Sequence, residues 1–250
     1  MLLEVTSLSA REGEVHFVST TAVNWVILQD DAGVTLIDGG YPGHADAVLE
    51  SLRRIGSAPE EIRAALLTHA HVDHLGGLVK LRGEYAFDVY ADPREVAHAR
   101  REYLMQANAA SLAPIAWQPR VLRWLSQIIP LGALSRTGLD DAAPFPELAA
   151  LPGRPIAVPS PGHTPGHSAF LVADGEALVS GDALISGHPI TSHQGPQCLG
   201  PIFTHDPEEN AESLAALAAT EAHLLLPGHG GLWEGTMRAA VGEALSTLRH

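Results

Sequence analysis

The sequence predicts an α/β protein made of two similar halves, and three observations carry that prediction. Short apolar runs alternate with stretches of helical periodicity along most of the 250 residues. Two hairpins of one design recur, turning at Asp30-Asp31-Ala32-Gly33 and at Ala173-Asp174-Gly175-Glu176, and each second strand ends on an acidic residue. Four apolar runs also stop at glycine-bearing loops rich in histidine and aspartate. At 46% hydrophobic the chain can bury a substantial core, and a single domain over 1–250 is expected.

The elements follow in order. Residues 16–20, 24–29 and 34–37 read as strands. Residues 45–55 read as a helix because Val48, Leu52 and Ile55 share one face. Ala64-Ala65-Leu66-Leu67 reads as a buried strand, and Gly76-Gly77 permits a tight turn into a helix from about Leu75. A strand at 87–91 and a helix beginning near Pro93 come next. In the second half, a strand at 156–158 precedes the hairpin of 169–172 and 177–180. Asp206-Pro207-Glu208-Glu209 has the cap, first-turn proline and acidic residues of a helix start, with Leu214 and Leu217 as its buried stripe. A strand at 223–226 and a helix over about 234–248 complete the pattern.

Residues 94–150 are longer than a link between halves requires. The segment carries many apolar residues, including Trp117 and Trp124, and Pro114, Pro119 and Pro130 divide it into short helices. It reads either as extra core or a homodimer surface, or as a lid whose apolar side chains select a greasy acyl group. The lid is the preferred reading, since the segment leaves the chain close to the residues that carry the chemistry. Trp117, Trp124, His188 and His193 are then candidate substrate contacts.

Those residues begin with His69-Ala70-His71-Val72-Asp73-His74, three histidines and a carboxylate within six positions. Imidazole nitrogens and carboxylate oxygens at that density describe a zinc-type site. At a strand's end His69 and His71 lie two apart and point the same way. Asp73 and His74, past a turn, can face a second position. Three further strand ends deliver His163, Asp182 and His229. One metal would leave a ligand idle, whereas two use them all.

These motifs, with Asp38 in Leu36-Ile37-Asp38-Gly39-Gly40, resemble in order the five motifs of the metallo-β-lactamase-fold hydrolase superfamily, in its glyoxalase II and lactonase-like branch. The resemblance spans nearly the whole chain. Composition and periodicity leave several α/β layouts open; the resemblance implies a four-layer αββα sandwich, with 94–150 as a helical insertion. It implies His69, His71 and His163 on one metal, Asp73, His74 and His229 on the other, and Asp182 bridging both. Zinc is the expected metal, with iron or manganese as alternatives. Asp38 is expected to accept hydrogen bonds from the loop that carries the ligands. His167 reads as structural because the ligand set is full without it. Asn24 resembles a structural asparagine of the family's early strand. His205 is a weak rim candidate, and His16, His44, His98, His223 and His250 are read as unremarkable.

The ligand set implies a metal-bridging hydroxide that attacks a polarised carbonyl, with Asp73 orienting it and carrying its proton to the leaving group. The expected enzyme is a dinuclear metal-dependent hydrolase of an ester, lactone or thioester with an apolar acyl part. A mononuclear non-haem iron, sulfur dioxygenase-like oxidoreductase and a β-lactamase-like amide hydrolase are the alternatives. Ser246-Thr247-Leu248-Arg249-His250 offers no basic cluster for glutathione, and Ala183-Leu184-Ile185 lacks the tyrosine that acyl-homoserine lactonases carry after the bridging aspartate. A formal charge of −14 leaves no cationic footprint for nucleic acid, so the expected partner is a small-molecule substrate. No stretch is apolar over a membrane-spanning length, and no export signal is visible. The lone Cys198 excludes an internal disulfide and fits a reducing cytoplasm.

Overall fold

The computed structural model describes residues 2–248. His250, read above as unremarkable, lies outside them. The first half builds a sheet of seven strands in sequence order: β1 (Leu3–Ala10), β2 (Gly13–Thr20), β3 (Trp25–Asp30), β4 (Gly33–Ile37), β5 (Ile62–Leu66), β6 (Asp88–Ala91) and β7 (Ala143–Pro144). Strands β1 to β4 are antiparallel neighbours, and β4 to β7 run parallel. Between them lie α1 (Ala45–Arg54), α2 (Val72–Arg82), α3 (Val96–Ala99), α4 (Ala109–Leu112) and α5 (Pro119–Ile128). The second half contributes β8 (Ile156–Pro159), β9 (Ser168–Val172), β10 (Ala177–Gly181), α6 (Pro207–Ala218), β11 (Leu224–Pro227), β12 (Trp233–Glu234) and α7 (Met237–Thr247). Its sheet runs β12-β11-β10-β9-β8, with β10 and β11 parallel.

Period-two side-chain alternation sorts the strand residues into layers. On β3, Trp25 and Ile27 pack outward against α1 and α2, beside Val48, Leu52, Leu75 and Leu78. Val26 and Leu28 face inward with Phe170, Val179 and Leu226 of the other sheet. On β10 and β11, Leu178 and Leu225 point the other way, onto Leu214 and Leu217 of α6 and Met237 and Val241 of α7. Helix, sheet, sheet, helix is the resulting order, an αββα sandwich. Each fully buried leucine or valine contributes about 1.5–3 kcal/mol.

Three features differ from the sequence expectation. Strand β1 was not expected. Its alternation changes phase near Ser7, so Leu3 and Val5 cover the helix side while Leu8 and Ala10 cover the inter-sheet side. Helix α2 starts at Val72 rather than about Leu75, with His71 at the cap and no side-chain capping bond to announce it. The last helix starts at Met237, behind a Thr236 cap whose Oγ1 accepts from Ala239 N, because Trp233 and Glu234 pair with β11 instead.

The ends of β4, β5, β8, β10 and β11 reach one rim of the sandwich, the edge where α/β folds place ligands. A fourth apolar cluster caps that rim. There Val121, Trp124 and Ile128 of α5 pack with Ala22, Val23, Tyr41 and Val72. Within 94–150, α5 therefore sits over the rim, whereas Val96, Ala99, Leu139 and Ala142 join the first-half core and β7 extends its sheet. Among the described residues, no helix is long and apolar enough to cross a membrane.

Candidate metal centre

Strand β5 ends at Leu66, so His69 and His71 stand in the following loop, and strand alternation does not aim them. Their convergence comes from hydrogen bonding instead. Asp38, at the end of β4 in a left-handed backbone conformation (φ 63°), accepts from Thr68 N at 2.9 Å and Thr68 Oγ1 at 2.7 Å. With its one hydrogen donated there, Thr68 Oγ1 accepts from His69 Nδ1 at 3.0 Å, leaving His69 Nε2 as a lone pair. The same Asp38 accepts from His74 Nδ1 at 2.8 Å, which frees His74 Nε2. His229 Nδ1 donates to Ala22 O at 2.8 Å, which frees its Nε2 as well.

Two groups of donors result. In the first, His71 Nδ1 lies 3.0 Å from both His69 Nε2 and His163 Nε2. Burial, then neighbouring histidines, hold His69 and His163 well below the ordinary imidazole value. Burial brings His71 down to about 4. All three are neutral at pH 7. In the second group His229 Nε2 lies 3.3 Å from Asp73 Oδ2. Asp182 faces both groups, 3.4 Å from His74 Nε2, 3.3 Å from His229 Nε2 and 3.7 Å from His163 Nε2. Burial opposes charge on His229, but Asp182 and Asp73 outweigh it and raise the imidazole to about 10. Burial likewise works against Asp73, and His74 and His229 keep it well below the usual carboxylate range.

This donor set fits divalent cations. In the first group the lone pairs of three neutral imidazoles converge with too few hydrogens to share, and in the second His74 Nε2 and Asp182 Oδ1 are buried without a well-formed hydrogen bond. Three triplets lie close enough to hold an ion: His69, His71 and His163; His69, His74 and Asp182; Asp73, His74 and His229.

Supporting groups fix the loops. His167 Nε2 accepts from Asp182 N at 3.1 Å while its Nδ1 faces Ser160 Oγ at 2.8 Å. Gly228 lets the His229 loop come close, since a Cβ there would lie 2.3 Å from Asp182 Oδ1. Asn24 ties that loop to the first sheet, its Nδ2 donating to Pro227 O at 2.9 Å and Gly230 O at 2.8 Å.

A cavity of about 310 Å³ opens above the donors, with His71, Asp73, His163, Asp182 and His229 at its floor. Leu112, Trp124, Leu125, Ile128 and Phe203 form its walls, and no lysine or arginine lines it among the described residues. The candidate substrate contacts separate here. Trp124 and His188 line the cavity, edge-on to each other at 5.5 Å. Trp117 does not: it is 75% exposed, and its Nε1 donates to Pro114 O. It precedes α5 and so shares no helical face with Trp124. His193 is half-exposed beside Glu243, 3.1 Å away, and also lies off the cavity. His205 is exposed. Cys198 is a partly buried packing residue whose thiol burial raises to about 11.

Sequence reasoning passed over three residues. Tyr41 lines the cavity, buried beside Asp73 and Asp182; burial and those charges hold its phenol neutral, well above its ordinary value. Glu95 and His98, fully buried, pair at 2.8 Å behind the ligand loops. The signal available for the last two was the Glu-x-x-His spacing at a helix start, one turn apart.

Comparison with known proteins agrees with the geometry. A probable metallo-hydrolase, YflN of Bacillus subtilis (strain 168), is 28% identical over 226 residues, covering 86% of this chain and 83% of the relative. A hydroxyacylglutathione hydrolase of Alkalilimnicola ehrlichii is 31% identical over 217 residues, 86% of this chain and 65% of that enzyme. Among solved structures, the Rm3 metallo-beta-lactamase superposes with a TM-score of 0.65 at 18% identity, covering 95% of this chain and 90% of that one. AidC, a dizinc quorum-quenching lactonase, gives 0.62 at 20% identity, covering 93% and 94%. Residues 18–229 match the metallo-beta-lactamase superfamily, and the chain belongs to that superfamily.

Proposed function

We propose that this protein is a dinuclear metal-dependent hydrolase of an uncharged ester, lactone or thioester with an apolar acyl part. The observation that supports this reading best is one cavity with a metal-type donor set for its floor, apolar walls, and no lysine or arginine among the described residues that line it. No lysine or arginine lines the cavity to receive a charged group on the acyl part.

His69, His71 and His163 would hold one cation, Asp73, His74 and His229 a second, with Asp182 between them. Bound there, two divalent cations, expected to be zinc, lower the pKa of a shared water towards neutrality and polarise the scissile carbonyl. The chain's own residues do the rest. Asp73 is held as a carboxylate and, with 16% of its side chain exposed, is positioned to orient the attacking water. It accepts the proton of that water and returns it to the leaving group. Tyr41 presents a neutral phenol as a hydrogen-bond donor to a substrate oxygen. Trp124, Leu125 and Ile128 desolvate the acyl part, and each further methylene buried is worth about 0.8 kcal/mol, roughly fourfold in kcat/KM.

The test is proton release in a pH-indicator assay over neutral esters, lactones, thioesters and a β-lactam, with bound metal counted by elemental analysis. Turnover of a neutral acyl substrate that lengthens favourably, with two metal equivalents per chain, is the expected result. Silence across the panel with two equivalents bound overturns the hydrolase reading.

A further inference from the structure

Glu95 touches none of the metal-type donors, yet it is a fully buried carboxylate with four hydrogen bonds. Its Oε1 accepts from Ala70 N at 2.9 Å and from His98 Nδ1 at 2.8 Å. Its Oε2 accepts from Thr164 Oγ1 at 2.9 Å and Gly166 N at 3.0 Å. Ala70 stands between His69 and His71, and Thr164 follows His163. One rigid carboxylate thus spans the two loops that bring the three histidines together. No peptide of the Asp73–His74 turn or the His229 loop bonds to it.

The surroundings hold Glu95 in place. His98 Nε2 accepts from Met105 N at 3.2 Å, which makes its Nδ1–H the donor to Glu95. Tyr103 stacks on that ring at 5.2 Å and 12°. Gly166 lies so close that a Cβ would come within 2.5 Å of Glu95 N. The following peptide is also held, the Ala70 carbonyl accepting from Arg101 Nη1 at 2.8 Å. Ala70, the residue between the two histidines, is therefore fixed at both its N–H and its C=O.

We infer that Glu95 is a positioning residue for the three-histidine group, setting the separation of the His69–His71 loop from the His163 loop and hence metal affinity at that position alone. The inference rests on the metal reading above. Glu95→Gln places an NH2 against one of the two donor pairs, so one loop loses its anchor. Thr164→Val removes a single bond and preserves the rest. Both are compared with the unaltered protein by zinc titration against a chromophoric chelator, and by the visible absorption of the cobalt-substituted protein, which reports each position separately.

In Glu95→Gln, affinity at the three-histidine position should fall about tenfold to a hundredfold, the usual consequence of losing a partner behind a metal ligand. The second position should change less than about threefold, and Thr164→Val should show a smaller loss at the same position. Equal weakening of both positions, or unchanged affinity with only a lower melting temperature, overturns the role of Glu95. Unaltered protein that takes up no zinc overturns the metal reading itself, which is a separate result.

Discussion

The floor and the walls of the cavity are built on opposite plans. At and beneath the floor, three donor histidines each have one partner for the far nitrogen: Thr68 for His69, Asp38 for His74, the Ala22 carbonyl for His229. The walls rest on short helices, and some of their apolar side chains stay half in solvent, with Ile129 46% and Leu134 75% exposed. A floor of this kind fixes direction, because a lone pair aimed wrongly is useless to a metal. Walls of this kind fix only volume and polarity. Substitutions on the floor should therefore cost chemistry, and those on the walls should cost selectivity.

The largest effect should come from Asp73→Asn. Turnover should drop by about 10²–10⁴, the range for a positioned acid–base group, while the melting temperature stays near that of the unaltered protein. Comparable activity in the variant would put Asp73 outside the chemistry. Trp124→Ala should cost about 3–5 kcal/mol in stability, since the ring is 6% exposed, and should weaken long acyl substrates most. A loss uniform across chain lengths would break the distinction between floor and wall. Zinc added to metal-free protein at about 100 times Kd should stabilise it by about 2.7 kcal/mol per site, readable as a rise in melting temperature of about 5–10 °C.

The pH dependence of metal-free protein comes next. His71 and His167 sit at about 4 through burial, so the unfolded chain binds protons first as pH falls. Their contribution to stability is present above about 6.5 and is lost towards 4. His229, raised to about 10 despite burial by Asp182 and Asp73, contributes below 6.5 and loses that contribution as pH rises to 10. Thermal melts should therefore peak between these limbs, with slopes of up to about 1.4 kcal/mol per proton per pH unit. Loaded protein should lose the alkaline limb, because a ligand nitrogen carries no proton. Trp117→Ala should do least, within about 0.5 kcal/mol and with unchanged chain-length preference.

The same contrast explains what could be read in the sequence. His69, His71, Asp73, His74, His163, Asp182 and His229 are residue types that metal chemistry uses, so their spacing makes them candidates in the sequence, and the structure brings their donor atoms together. Glu95 and Tyr41 escaped because Glu95 bonds largely to backbone N–H groups, which every residue carries, and Tyr41 sits alone in a loop. Helix α2 began three residues early because His71 caps it without a capping side chain. Strand β1 was missed because its two ends bury opposite faces. Trp117 and Trp124 look alike in the sequence. Only Trp124 shares a helical face with Val121 and Ile128, and that face turns towards the rim.

The Asn24 side chain bonds carbonyls 203 and 206 residues away along the chain. Contacts of such separation close large loops and form slowly, after local elements are in place. The His229 loop can take up its position only once both halves have folded and docked. During synthesis, the histidines of the first half emerge long before the loop that completes their cluster. Metal capture is on this view a finishing event of folding, and refolding followed by zinc uptake should lag behind refolding followed by helix content.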